Sequence, residues 1–352
     1  MTPTLALKLI VPTAFFGYAA IANLALVLTP DVRMPEAQGV LTGEITQVID
    51  TLYRDTLPHK TPAIGLIGAA RYVLLDEGRK GVVVGADGHL FTAEEFRPVD
   101  DTLYQAATAQ ITAAADRLTD AGIRLVIAPL PAKVDVMRDH APDATATEAA
   151  EALYHRLLGD LRDLGIPAVD TRPALIAQRA PFLATDTHWT PAGARAVAAM
   201  IADSGMIDPG TEAFAVERDA PRPMTGDLVS YVTSDTLAPR VGLRPETVTS
   251  WRAVAHADDS DLGLLDLFGD DGAGTDLVGT SYSANPSWSF AEALKLELGR
   301  DVVNHAEEGR GPFAPMTAYL DRLDPMSPPQ VVIWEIPVRY LTDPGLTATG
   351  AR

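Results

Sequence analysis

The sequence predicts an α/β protein with a mainly parallel sheet and helices on both faces. Three observations predict it. Short β-branched and apolar runs alternate with longer helical patterns, as in strand–helix–strand units. The strands expected over 124–129, 276–280 and 331–336 contain continuous apolar runs (Leu125–Ala128, Leu277–Val278, Val331–Trp334), the pattern of strands buried on both faces. Polar residues then collect just beyond these runs, at the carboxyl rim where open sheets bind ligands.

Composition narrows the function. The chain has 352 residues, a net charge of -19 and no cysteine. Disulfides and thiolate chemistry are excluded. The acidic balance excludes nucleic acid, because no basic excess is present to neutralise phosphates. Any polyanionic partner has to be held by a local Arg/Lys cluster.

The elements follow in chain order. Lys8 precedes an uncharged run from Leu9 to Pro30. A 20-residue helix is about 30 Å long and matches a bilayer core. Lys8 and the amino terminus lie before the run and Asp31 and Glu36 after it, which puts the start in the cytoplasm and the rest outside. Residues 1–30 are expected to form a membrane anchor, a transmembrane helix. The alternatives are a cleaved signal, with Ala19, Ala20, Ala22 and Ala25 as small residues, and a buried core helix.

Residues 31–80 read as a linker and helical lead-in, with a helix over 43–53 and a break at Pro58-His59-Lys60-Thr61-Pro62. Gly81–Gly85 and His89–Phe91 flank Asp87-Gly88 and predict a hairpin. An alanine-rich helix over 100–121 is capped by Asp100 or Asp101 and stopped by Gly122. After the strand at 124–129 come a helix over 144–164, a short strand over 168–170 and a short helix over 173–178. Thr190 as N-cap and Pro191 at the first helical position open a helix ending near Gly205. Residues 206–262 are rich in Asp, Pro and Thr, lack periodicity, and read as an irregular insertion with short strands. Strand 276–280, helix 287–298, strand 302–303, helix 314–323 and strand 331–336 complete a main domain of residues 81–345.

Two stretches carry chemistry. In Leu277-Val278-Gly279-Thr280-Ser281-Tyr282-Ser283, a glycine turn lifts a hydroxyl off a strand end, where unrelated hydrolases place a nucleophile. Ser281 comes first after the strand; Ser283 is its rival. In Asp186-Thr187-His188-Trp189, residues two apart share a side, so Asp186 can orient the His188 ring as a base for a serine. Read as isolated pieces, Asp186 and His188 are equally ordinary loop residues and Ser281 a helix cap. Lys133, Asp170, Arg310 and Arg339 fall at the same rim. No phosphate-binding or dinucleotide motif is present, and the histidines lack metal-ligand spacing, so no metal is expected.

Together these residues carry a resemblance. Gly81 to Phe91, Pro131-Ala132-Lys133, Asp186 to Pro191, Gly279 to Ser283 and Trp334-Glu335-Ile336-Pro337 resemble the alginate O-acetyltransferase family of AlgJ and AlgX type, in the family's order. The resemblance implies an SGNH-hydrolase-like fold and a periplasmic enzyme, anchored to the inner membrane, that O-acetylates an exopolysaccharide. It implies Ser281 as nucleophile, His188 as base and Asp186 as the orienting acid. Arg310 is expected near the acetyl group, with Tyr282 and Lys133 as further substrate or oxyanion contacts. No soluble cofactor is expected; a membrane-bound O-acyltransferase is the implied acetyl donor. No carbohydrate-binding module is seen after the Trp-Glu-Ile-Pro stretch, which points to the AlgJ type. The alternatives are an acetyl esterase with the same triad, and a non-catalytic scaffold of a polysaccharide export complex.

Overall fold

A computed structural model describes residues 3–27, 60–255 and 274–347, with a few positions between 46 and 53. Its centre is a four-stranded parallel sheet in the order β3 (Arg124–Leu130), β10 (Val331–Pro337), β8 (Thr275–Val278), β9 (Val302–Asn304). β10 pairs with β3 along its whole length, Val331 opposite Arg124 through Pro337 opposite Leu130, and with β8 over Val331 to Trp334.

Alternation across the pleat divides the core in two. Leu125, Ile127, Val332, Trp334 and Ile336 pack with α3 (Asp101–Asp120), α4 (Ala144–Asp163) and α7 (Phe313–Arg322). Val126, Ala128, Val331 and Ile333 pack with α5 (Pro191–Asp203) and α6 (Phe290–Leu298). The long helices start where their caps predict: Asp100 accepts from the Thr102 and Leu103 amides, Asp143 from Thr145, and Thr190 from Gly193.

Several elements depart from expectation for identifiable reasons. The strand at 168–170 is reduced to one parallel bridge between Ile127 and Ala168. The helix expected over 287–298 begins late, as α6, behind a tight turn at Pro286–Trp288, and a separate helical turn at Ser281–Ala284 precedes both. Ser289 sits at φ 54° between them, in the left-handed region, and its hydroxyl accepts from the Trp251 amide at 2.8 Å. The break expected at 58–62 is overtaken by α2 (Lys60–Leu75), because proline is tolerated in a first turn, where Pro62 lies. The helix over 43–53 lies largely outside the described residues. The hairpin forms as β1 (Val82–Val84) against β2 (Leu90–Thr92). The insertion holds two small antiparallel pairs, β4 (Phe214–Arg218) with β7 (Trp251–Ala255) and β5 (Arg222–Met224) with β6 (Glu246–Val248). Its end beyond 255 lies outside the described residues.

At the N-terminus the expected helix is present as α1 (Pro3–Val27), with Phe15, Phe16 and Ile21 exposed. Among the described residues, no helix is long and apolar enough to cross a membrane. The structure thus supports the helicity of this segment and gives no support to its spanning a bilayer.

The start of α5 is fixed by close approach. A Cβ on Gly193 would lie 2.3 Å from the Pro181 carbonyl oxygen, which already accepts from the Thr190 amide. Gly193→Ala is expected to lower unfolding free energy by about 1–3 kcal/mol through overpacking, measured by urea denaturation. An unchanged midpoint would show that α5 is not held by this contact.

Candidate active site

The two chemical stretches are held by separate buried charges. Gly279 follows β8 directly and lies beside Glu335 of β10; a Cβ at Gly279 would lie 2.5 Å from Glu335 Oε2. The Glu335 carboxylate is fully buried. It accepts from the Thr280 amide at 2.7 Å, from the Thr280 hydroxyl, and from the Ser283 hydroxyl at 3.0 Å. Burial pushes its pKa up, opposed by these donors. The turn carrying Ser281 is therefore tied to the central strand. Ser283, the rival hydroxyl, is spent on this tie and is itself buried.

The other stretch rests on Lys133, which is 1% exposed. Its Nζ donates to the carbonyls of Leu90 (2.7 Å), Ala184 (2.9 Å) and Asp186 (2.8 Å), using all three ammonium hydrogens. Burial lowers its pKa to about 8, against the pull of Glu95 and Asp186. Lys133 thus shapes the loop that carries Asp186 and His188. All three of its ammonium hydrogens are turned inward to backbone, which leaves none for the substrate or oxyanion contact expected from sequence.

These supports bring three predicted residues together. Ser281 Oγ lies 2.7 Å from His188 Nε2, and His188 Nδ1 lies 2.7 Å from Asp186 Oδ1. With the proton on Nδ1 donated to Asp186, Nε2 is the acceptor for the serine hydroxyl. Asp186 Oδ1 also accepts from the His188 amide at 2.9 Å, and Oδ2 from the Asp227 amide at 2.9 Å. Burial raises the Asp186 pKa, but the hydrogen bonds and charge of His188 outweigh it and hold this carboxyl below its ordinary value. Trp288 stacks on the His188 ring with centroids 5.1 Å apart.

Tyr282 is also a support. It is 2% exposed; its hydroxyl donates to the Thr187 carbonyl (2.8 Å) and accepts from Arg339 (2.7 Å). Trp189 Nε1 returns a bond to the Tyr282 carbonyl at 3.1 Å. The ring is buried between the two loops, which places Tyr282 as a support of the site and leaves little of it exposed for the substrate contact expected from sequence. Arg310 is exposed and ion-paired to Glu307 at 2.6 Å; no contact joins it to Ser281 or His188 among the described residues.

The sequence assigns no chemical role to Glu335 or Asp227, and it marks Arg339 only as a rim residue. Glu335 was legible as a carboxylate inside a wholly apolar strand, Trp334-Glu335-Ile336. Arg339, buried after β10, braces Tyr282. Asp227 lies in the insertion, where nothing in the local pattern marks it. Its carboxylate accepts from the Thr187 amide and hydroxyl, both at 2.8 Å, and approaches His188 Nδ1 at 4.0 Å. Burial and the Asp186 charge raise its pKa. Asp186, His188 and Asp227 converge closely enough to resemble a metal site, but the hydrogen bonds described account for their ligand atoms.

Two outcomes follow from these supports. Lys133→Met leaves three carbonyls without their ammonium and is expected to destabilise the fold by about 3–5 kcal/mol, read from denaturant midpoints. A loss under 1 kcal/mol would show that water replaces the ammonium. For Asp186, the folded pKa lies below the unfolded one. Its stabilising contribution is thus complete above the ordinary value of 3.8 and fades as pH falls below it. The stability gap between the parent and Asp186→Asn is expected to stay level above about pH 5 and to narrow below pH 4. A gap that widened toward acid would reverse the sign.

The model of the family described as SGNH hydrolase-like domain, acetyltransferase AlgX, matches residues 82–338. The probable alginate O-acetylase AlgJ of Pseudomonas syringae pv. tomato is 38% identical over 313 residues, covering 86% of this chain and 80% of that protein. The AlgJ of Pseudomonas aeruginosa is 36% identical over 317 residues, with 86% and 81% covered. The solved O-acetyltransferase domain of Pseudomonas putida AlgJ superposes with a TM-score of 0.64 at 33% identity, covering 76% of this chain and 98% of that one. A family-model match over residues 82–338 and relatives 36–38% identical over 86% of the chain place it in the SGNH hydrolase-like acetyltransferase family of AlgX and AlgJ.

Proposed function

We propose that the protein is an O-acetyltransferase that acetylates hydroxyls of an exopolysaccharide through an acetyl-serine intermediate. The single observation carrying this reading is the continuous Ser281–His188–Asp186 relay, with both links at 2.7 Å. In the first step His188 Nε2 takes the Ser281 proton as Oγ attacks the acetyl carbonyl of the donor. The tetrahedral intermediate collapses to acetyl-Ser281, and the imidazolium returns the proton to the leaving group. In the second step His188 takes the proton of a sugar hydroxyl, whose oxygen attacks the acetyl carbonyl. Ser281 leaves and regains its proton. Asp186 stabilises the imidazolium in both steps. The Ser281 amide opens the helical turn Ser281–Ala284 and donates no hydrogen bond among the described residues, so it is available to the oxyanion.

Relatives described as probable alginate O-acetylases support alginate or a similar acidic polymer as the acceptor. The donor in this reading is a membrane-bound O-acyltransferase, and the protein works in the periplasm, tethered to the inner membrane. The tether rests on the uncharged run from Leu9 to Pro30. The same relay with water as acceptor would make an esterase, and transfer to oligosaccharide against release of free acetate separates the two.

Ser281→Ala is expected to cut acetylation of the secreted polymer by about 10³-fold or more at normal protein level. Unchanged acetylation in the producing cell would sink the assignment.

A further inference from the structure

Trp288 is held against the base by a strained turn. It ends the tight turn Pro286–Trp288 and is buried. Ser289, next in the chain, sits at φ 54°, in the region uncommon for residues other than glycine. Both flanks of Trp288 are pinned from the insertion. Arg222 donates to the Ser287 hydroxyl, and the Trp251 amide donates to the Ser289 hydroxyl at 2.8 Å. Pro286 and Ser287 also line an open cavity whose far wall includes Arg222 and Trp251. The Trp288 Nε1 is buried and has no hydrogen-bond partner among the described residues. Trp189 and Trp334 are as deeply buried, and their Nε1 groups donate to the carbonyls of Tyr282 and Pro312. An unanswered buried donor is unfavourable, so packing alone does not account for an indole at this position.

What the indole contributes is its face. Its plane lies 19° from that of the His188 ring, with centroids 5.1 Å apart. A cation within about 6 Å of an aromatic centroid is attracted by the electron-rich face, and tryptophan offers the strongest such face. His188 becomes that cation whenever the Ser281 proton moves to Nε2. Its other neighbours act elsewhere. Asp186 and Asp227 approach Nδ1, at 2.7 Å and 4.0 Å. The Tyr282 ring is tilted by 56° to the imidazole and already has the Arg339 guanidinium 5.2 Å from its centroid. Among the described residues, Trp288 alone is stacked on the base.

We propose that Trp288 is a positioning residue for the reaction, its indole face stabilising the His188 imidazolium and holding that ring between Ser281 and Asp186. The proposal rests on the acetyl-serine reading. Trp288 makes and breaks no bond; it lowers the barrier of each step in which His188 carries the proton. In the full-length protein, Trp288 is replaced by tryptophans carrying progressively more ring fluorines, which withdraw electron density from the face and nearly keep its shape. The burst of nitrophenolate from para-nitrophenyl acetate reports acylation of Ser281, and thermal melts confirm the fold. Across the series the limiting acylation rate is expected to fall steadily, to about a tenth, with the half-saturating ester concentration unchanged. Trp288→Phe is expected to lie between the parent and Trp288→Leu. The same fluorination at Trp334, which packs on the opposite face of the sheet, is expected to leave the rate unchanged. A flat series at Trp288, or equal losses at both positions, overturns the proposal while the Ser281-dependent burst stands. A burst that survives Ser281→Ala overturns the acetyl-serine reading itself, and the role of Trp288 with it.

Discussion

The buried Glu335 carboxylate is the constraint on which the site depends. It stands at the centre of the sheet, in the strand that pairs on both sides, and receives the amide and hydroxyl of Thr280, the residue before Ser281. A carboxyl so enclosed is costly to ionise without donors. The donors it finds are those of the serine turn, so satisfying Glu335 and placing Ser281 are one event. The His188 loop shows the same logic with the sign reversed. There a buried ammonium is satisfied only by carbonyls, and the backbone that supplies them is the backbone that presents Asp186 and His188. One buried anion thus sets Ser281, and one buried cation sets Asp186 and His188. The hydrogen bonds between Tyr282, Thr187 and Trp189 then fix the distance between the two halves.

Much of this was legible from the chain. The strand ends, the capped helices and the Asp-x-His and Gly-Thr-Ser stretches follow from local rules, and local rules act here unopposed. What local rules missed was set by distant partners. Ser289 adopts a left-handed conformation because its hydroxyl meets the Trp251 amide, 38 residues away. Lys133 was visible as a rim cation, but nothing beside it revealed that three carbonyls from two other segments would enclose it. Asp227 sits in a stretch without periodicity, and only the folded insertion carries it to His188. Glu335 was the most readable of the hidden residues: a charge inside a buried strand has to be answered by donors, even though the sequence does not say which.

The acidic insertion has two tasks in one piece of chain. Through Asp227 it braces the base, accepting from Thr187 while its own amide caps Asp186. Through Arg222 and the residues at 250–252 it walls the cavity beside the serine. Base orientation and the shape of the adjoining cleft are therefore coupled through one irregular segment, which a fold built only from the central sheet and its helices would lack.

The placement of Lys133 bears on when the chain can first act. The ammonium gathers the hairpin at Leu90, the strap at Ala184 and the acid at Asp186, while the serine waits on Glu335 and Tyr282 on Arg339, both close to the carboxyl end. Every pairing spans tens of residues, so the relay is a late product of folding, reached only after widely separated parts of the chain have met. A chain whose last strand is not yet in place carries Ser281, His188 and Asp186 as unconnected side chains. The hydrogen-bonded arrangement of Ser281, His188 and Asp186 is complete only once β10, with Glu335, is laid in.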